Sequence, residues 1–148
     1  MKEKDFISSI KQILNSEYIG DDCAYLKDLG IVVTQDSLVE DVHFKKKFIT
    51  PYQLGYKSIM VNISDIAASG AMPAYLTVAL SLPNDISEDF IEEFYNGCKN
   101  ACPKAVRIVG GDITSADKIY NCSASYWASY SCGQKYLPLC LSYNIRIY

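Results

Sequence analysis

Aspartates stand at positions where carboxylates could do chemistry. Asp21 and Asp22 precede a candidate strand, Asp36 follows one, Asp65 lies on a candidate helix, and Asp112 ends another strand behind Gly110 and Gly111. Carboxylates at strand ends can converge on one rim of a sheet, and several there repel one another unless a cation sits between them. Oxygen ligands without thiolate or imidazole select magnesium, manganese or calcium. Magnesium keeps waters and bridges to phosphates, so such a rim predicts phosphoryl transfer or phosphate hydrolysis. Taken singly, an aspartate beside glycine is more often a turn former than a ligand. Asp65 also reads as a surface residue of its helix, although Ile63, Ile66, Ala67 and Ala68 surround it. The prediction rests on the set.

Other residues join this set more loosely. Thr34 could add a hydroxyl or carbonyl oxygen beside Asp36. The Gly110-Gly111 pair lets backbone amides approach a phosphate, because glycine carries no obstructing side chain. No Gly-x-x-x-x-Gly-Lys-Ser/Thr loop occurs, so the chain has no P-loop. His43, between Val42 and Phe44, reads first as a core or edge histidine. Lys45, Lys46 and Lys47 read as a solvated face that could also attract phosphate esters. Tyr95 reads equally as a packing residue.

The elements that must position these groups follow from periodicity. Phe6, Ile7, Ile10, Ile13 and Leu14 predict a helix over 3–15. A short strand is expected at 23–26, and the β-branched run 31–34 predicts a buried one. Val42-His43-Phe44 reads as a short extended piece. Thr50-Pro51 starts a helix that runs to Ser69 and stops at Gly70, with Ala67 and Ala68 small enough for close packing. Residues 75–80 predict a strand, Ser87 caps a helix over 88–101, and 105–109 predict a fourth strand. This alternation predicts an α+β, α/β-like fold: a mixed four-stranded sheet with helices packed on one face.

The 148 residues suffice for one domain with its own core. A net charge of −3 argues against a nucleic-acid partner, and the longest apolar run falls short of a membrane span. The N-terminus lacks the apolar stretch of a signal peptide. Cys23, Cys98, Cys102, Cys122, Cys132 and Cys140 contain no Cys-x-x-Cys pair and accompany a single histidine, which disfavours zinc. Free thiols in a reducing cytoplasm are expected. After Asp117 there is no acidic residue, and the tyrosines of 118–148 follow neither helical nor strand spacing. Residues 121–148 are therefore expected to form an atypical tail. They read either as an aromatic membrane or partner patch or, preferred here, as a coding sequence that shifted frame near residue 121.

The strings Gly20-Asp21-Asp22-Cys23-Ala24, Thr34-Gln35-Asp36-Ser37-Leu38-Val39-Glu40-Asp41-Val42-His43-Phe44, Val61-Asn62-Ile63-Ser64-Asp65-Ile66-Ala67-Ala68-Ser69-Gly70-Ala71-Met72-Pro73 and Gly110-Gly111-Asp112 together resemble the N-terminal domain of thiamine-monophosphate kinase, over about residues 3–120. That family shares its architecture with aminoimidazole ribonucleotide synthetase. The resemblance implies ATP-dependent phosphorylation of thiamine monophosphate to thiamine diphosphate with several magnesium ions. It implies Asp22, Thr34, Gln35, Asp36, Asp65 and Asp112 as metal ligands, with Gln35 departing from the family's usual hydroxyl residue. It implies His43 as a contact to thiamine monophosphate, and Tyr95, Gly111 and Asp112 as ATP contacts. No separate catalytic side chain is implied, because the acceptor is already an anionic phosphate.

The resemblance further implies a homodimer in the cytoplasm, with the 1–120 domain pairing with its twin to close a β-barrel. The family continues into a second, larger domain, and its arginine contact to ATP has no counterpart in residues 121–148. The chain alone is therefore expected to be inactive. Two competing readings are another ATP-dependent synthetase of the same superfamily and a non-catalytic module that dimerises and binds nucleotide. The first would show a catalytic cysteine or a glycine-rich arm near the N-terminus, and residues 3–15 show neither.

Overall fold

The computed structural model describes the backbone of residues 2–129 and the side chains of residues 2–121. The elements run α1 (Glu3–Leu14), β1 (Cys23–Leu26), β2 (Ile31–Val39), a 3-10 turn (Lys46–Phe48), α2 (Pro51–Ala68), β3 (Met72–Leu82), α3 (Glu88–Ala101), β4 (Arg107–Ser115) and β5 (Tyr120–Ser129). Local chemistry sets the helix boundaries. Thr50 Oγ1 accepts from the Gln53 amide while Gln53 Oε1 accepts from the Thr50 amide, a reciprocal cap at the start of α2. Ser87 caps α3 through the Phe90 amide. Gly70 takes a φ of 72° just past α2, a conformation that favours glycine.

The strands form one mixed sheet in the order β1-β2-β5-β3-β4. Every pair is antiparallel except β3–β4, which run parallel and are joined through α3. The four strands expected from sequence are thus five. The additional one, β5, occupies the centre of the sheet, although Tyr120-Asn121-Cys122-Ser123-Ala124-Ser125 contains no β-branched residue. Pairing on both edges overrides its weak propensity. β5 runs through the point where the tail was expected to begin. The frame-shift and patch readings concern residues 121–148, of which the side chains beyond 121 and the backbone beyond 129 lie outside the described residues.

On one face, α2 packs against β2, β5 and β3, and α3 packs on α2. Leu54, Ile59, Ile63 and Ile66 of α2 are buried against Val32, Leu38, Leu76, Val78 and Leu80. Each such side chain contributes about 1.5–3 kcal/mol of transfer free energy. The close helix approach expected at Ala67 and Ala68 occurs elsewhere. A Cβ on Gly55 would lie 1.9 Å from the Phe94 carbonyl oxygen, and one on Gly97 would lie 1.9 Å from that of Tyr52. Two glycines therefore bring the α2 and α3 backbones together, and Cys98 Sγ donates to the Gly55 carbonyl in the gap. The helices do not all share a face. α1 buries none of its residues, and its Ile7 shares a hollow with Ala24, Val33 and Gln35 of the opposite sheet face.

Candidate functional site

The C-terminal half of α2 lies against the β1–β2 edge of the sheet. Asp65 sits in the last turn of α2, where Cys23 Sγ and Ser69 Oγ both donate to its backbone carbonyl. Its carboxylate faces Thr34, a buried residue of β2 whose hydroxyl donates to the Asp22 carbonyl at 2.7 Å and lies 3.4 Å from Asp65 Oδ2. A hydroxyl has one proton, so the shorter contact holds it. Thr34 is thereby a strut that ties the Asp22 turn to β2. Asp21 Oδ1 accepts from the Asp22 amide, which fixes that turn.

Asp36 shares a face of β2 with Thr34 and turns toward α2. It lies within β2 rather than beyond its end, because the strand continues through Gln35 and Ser37 with alternating burial. The β2–β5 register shifts between Asp36 and Ser37, and the Asp36 amide donates to Asn62 Oδ1 at 3.1 Å. Asp22, Asp36 and Asp65 thus meet around Thr34.

Their electrostatics record the crowding. Burial, then the charge of Asp22, pushes the Asp36 carboxyl above the usual carboxylate range, and His43 offsets part of this. Burial, then Asp36 and Asp22, likewise raises Asp65, with the nearby Thr34 and Ser64 hydroxyls opposing part of it. Asp65 also stands at the negative end of α2 with no basic residue in that turn. Two carboxylates whose ionisation is disfavoured, Asp36 and Asp65, with the charge of Asp22 close by, form an environment that a divalent cation would relieve. Among the described residues no group of three or more His, Cys, Asp or Glu side chains is placed to hold a metal ion by itself. A cation here would need waters and phosphate oxygens to complete its shell.

The other expected residues are distributed more widely. Gln35 is exposed and lines the hollow beside Ile7 and Asp21, on the face opposite Asp36. Asp112 is not at a strand end and does not join the three carboxylates. It lies within β4, pairs with Ala79, and shares a cross-strand row with Cys122 and Ser37, whereas Asp36 shares its row with Val78 on the helix-covered face. Three strand spacings separate β2 from β4, about 14 Å. Gly111 meets a constraint of its own, since a Cβ there would lie 1.8 Å from the Val78 carbonyl oxygen. Tyr95 is half-buried on α3 and edge-on to Phe94 at 5.4 Å, and the backbone of Phe94 lies beside Gly55 of α2 rather than beside its Asp65 end.

His43 is neither core nor part of a strand. It lies in an exposed turn whose Glu40–Phe44 bridge replaces the expected extended piece. Its Nδ1 accepts from the Val39 amide at 3.0 Å, so in the neutral ring the proton is on Nε2, facing outward. Lys57 Nζ donates to the His43 carbonyl, and a groove of about 580 Å³ is lined there by His43, Phe44, Lys45, Phe48 and Lys57. Glu40 and Asp41 anchor this turn to the start of β5 through the Ile119 amide and Lys118. Asn62 and Lys57 carried no role in the sequence reading. A buried asparagine three residues before Asp65 on an otherwise apolar helix face was the signal available for the first.

A model of the family described as AIR synthase related protein, N-terminal domain, matches residues 20–127. The chain belongs to that family. Within it, thiamine-monophosphate kinase of Aquifex aeolicus (strain VF5) is 39% identical over 120 residues, covering 79% of this chain and 39% of the relative. The protein of the same name from Bacillus subtilis (strain 168) is 41% identical over 130 residues, covering 80% and 40%. A solved structure of AaThiL complexed with AMPPCP and TMP superposes with a TM-score of 0.78 at 35% identity, covering 86% of this chain and 43% of that one. The chain spans about two fifths of the length of the curated relatives it matches. Among the described residues no helix is long and apolar enough to cross a membrane.

Proposed function

We propose that this chain is the cation- and phosphate-handling part of an ATP-dependent kinase that phosphorylates thiamine monophosphate to thiamine diphosphate in the cytoplasm. The observation that carries the reading is the meeting of Asp22, Asp36 and Asp65 around Thr34, in a chain whose relatives are thiamine-monophosphate kinases. The related AaThiL complexed with AMPPCP and TMP supports the two substrates.

Asp22, Asp36 and Asp65 would hold magnesium, which when bound supplies neutralisation of charge on the transferred phosphoryl group. The rest of the chemistry is positioning. Thr34 keeps the Asp22 turn against β2. The outward Nε2–H of His43, beside Lys45 and Lys57, offers donors to the phosphate of thiamine monophosphate, and Phe44 and Phe48 supply apolar surface next to it. No general base is needed, because the acceptor oxygen is already anionic. Asp112, Gly111 and Tyr95 stand away from this cluster, and we assign Asp112 and Gly111 to a more distant part of a bound nucleotide. Gln35 would reach a cation only through its backbone.

Among the described residues, no element packs over Tyr75, Thr77 and Ser81 on the sheet face opposite α2, and Tyr75 is 50% exposed. A homodimer closed across this face accounts for it. Sedimentation of a stable monomer at micromolar concentration would refute the dimer. The functional reading is tested by titrating AMPPCP into the chain with and without magnesium. Magnesium-dependent binding lost in Asp36→Ala and Asp65→Ala is expected, and binding unchanged in both overturns it.

A further inference from the structure

Asn62 is 1% exposed, yet both ends of its amide are engaged. Its Oδ1 accepts from the Asp36 amide at 3.1 Å, and its Nδ2 donates to the Ser58 carbonyl one turn earlier in α2 at 3.0 Å. The second bond fixes the rotamer, so the acceptor points at β2 and nowhere else. The first meets a specific need. β1 pairs with β2 only as far as Thr34, and the β2–β5 ladder shifts register at Asp36. The Asp36 amide lies where the sheet is irregular, and a side chain of α2 supplies its acceptor. Asn62 therefore joins the backbone that carries Asp36 to the helix that carries Asp65, three residues further on the same side.

We infer that Asn62 is a positioning residue that sets the separation of the Asp36 and Asp65 carboxylates and thereby the affinity of the site for a divalent cation. This rests on the reading that those carboxylates hold such a cation. Its other partner is the carbonyl of Ser58, whose hydroxyl donates to Gly55, so the amide is braced within α2. A role confined to satisfying the Asp36 amide would leave cation affinity unchanged when Asn62 is replaced. Outer-shell groups that orient ligands commonly change metal affinity by about 10–100-fold when removed.

The test uses the 148-residue chain and manganese as the probe, followed by electron paramagnetic resonance of the free ion and by calorimetry. Asn62→Leu keeps the buried volume and removes the acceptor. It is expected to weaken manganese binding at least about tenfold and to accelerate hydrogen exchange at the Asp36 amide. Ile63→Val, a neighbouring core substitution on the same helix, lowers stability without touching the site and should leave the affinity within about twofold. Should the leucine variant fail to fold, Asn62→Ser, too short to reach Asp36, carries the same comparison. Wild-type affinity in a folded Asn62 variant overturns the positioning role while leaving the cation site intact. A wild-type chain that binds manganese no better than Asp65→Asn overturns both.

Discussion

Replacing Asp65 by asparagine should move the stability of this chain in opposite directions with and without a divalent cation. In the cation-free chain the Asp65 carboxylate is half-buried, faces the charges of Asp36 and Asp22, and sits at the negative end of α2. Like charges several ångströms apart under near-surface screening repel by about 0.5–1 kcal/mol. The nearby Thr34 and Ser64 hydroxyls offset part of this. An asparagine keeps the shape, loses the charge and should raise stability by about 0.5–1 kcal/mol. For a chain of this size that is about 1–4 °C in Tm.

With magnesium at a hundred times its Kd the wild type gains about 2.7 kcal/mol by mass action. Loss of one carboxylate that weakens the cation tenfold or more forfeits about 1.4 kcal/mol or more of that gain. The variant should then melt above the wild type in EDTA and below it in saturating magnesium. Thermal unfolding of both proteins under the two conditions measures the crossing. An Asp65→Asn chain that melts well below wild type in EDTA would show the carboxylate to be a structural group. One that gains as much from magnesium as wild type would show that it does not face the cation.

The pH dependence in EDTA follows from the same crowding. Asp36 and Asp65 have native carboxyls raised above the ordinary range, so the native chain holds more protons than the unfolded one in the interval between. Their stabilising contribution is full below the unfolded value and is lost as pH rises through the raised native one. Melting temperature of wild type relative to the Asp36→Asn, Asp65→Asn double variant should therefore fall as pH rises through that interval, and a flat difference would refute the crowding. Gly97→Ala forces a Cβ to within 1.9 Å of the Tyr52 carbonyl oxygen, and urea unfolding should show a loss of about 2–4 kcal/mol. His43→Ala should weaken binding of thiamine monophosphate, measured by calorimetry, while His43→Gln, which keeps a donor, should recover part of it. The Cys98 thiol, pushed up to about 12 by burial, should resist alkylation at pH 8 until the chain unfolds.

The helices were legible because each carries its own signal. Thr50-Pro51 and Ser87 mark starts, Gly70 marks a stop, and α2 and α3 appear within a residue or two of where those signals place them. β5 was not, since its centrality is a property of β2 and β3 on either side rather than of its own residues. The same distinction divides the site. Asp22 lies in a turn that sequence identifies, but Asp36 was expected at a strand end and lies inside β2. Whether a strand continues past its β-branched run depends on what pairs with it.

Asp65 and Asp112 make the point most sharply, because nothing local distinguishes them. Both are aspartates beside small residues, and a rim of strand ends would have gathered Asp112 and left Asp65 on a helix surface. The structure does the reverse. α2 crosses beneath β2 and delivers Asp65 to Asp36, whereas the insertion of β5 between β2 and β3 moves Asp112 two strands beyond the centre and onto the other face. A carboxylate set read from spacing is therefore only as good as the strand order assumed for it. In this fold the strand that fixes that order is the one whose own sequence announces it least.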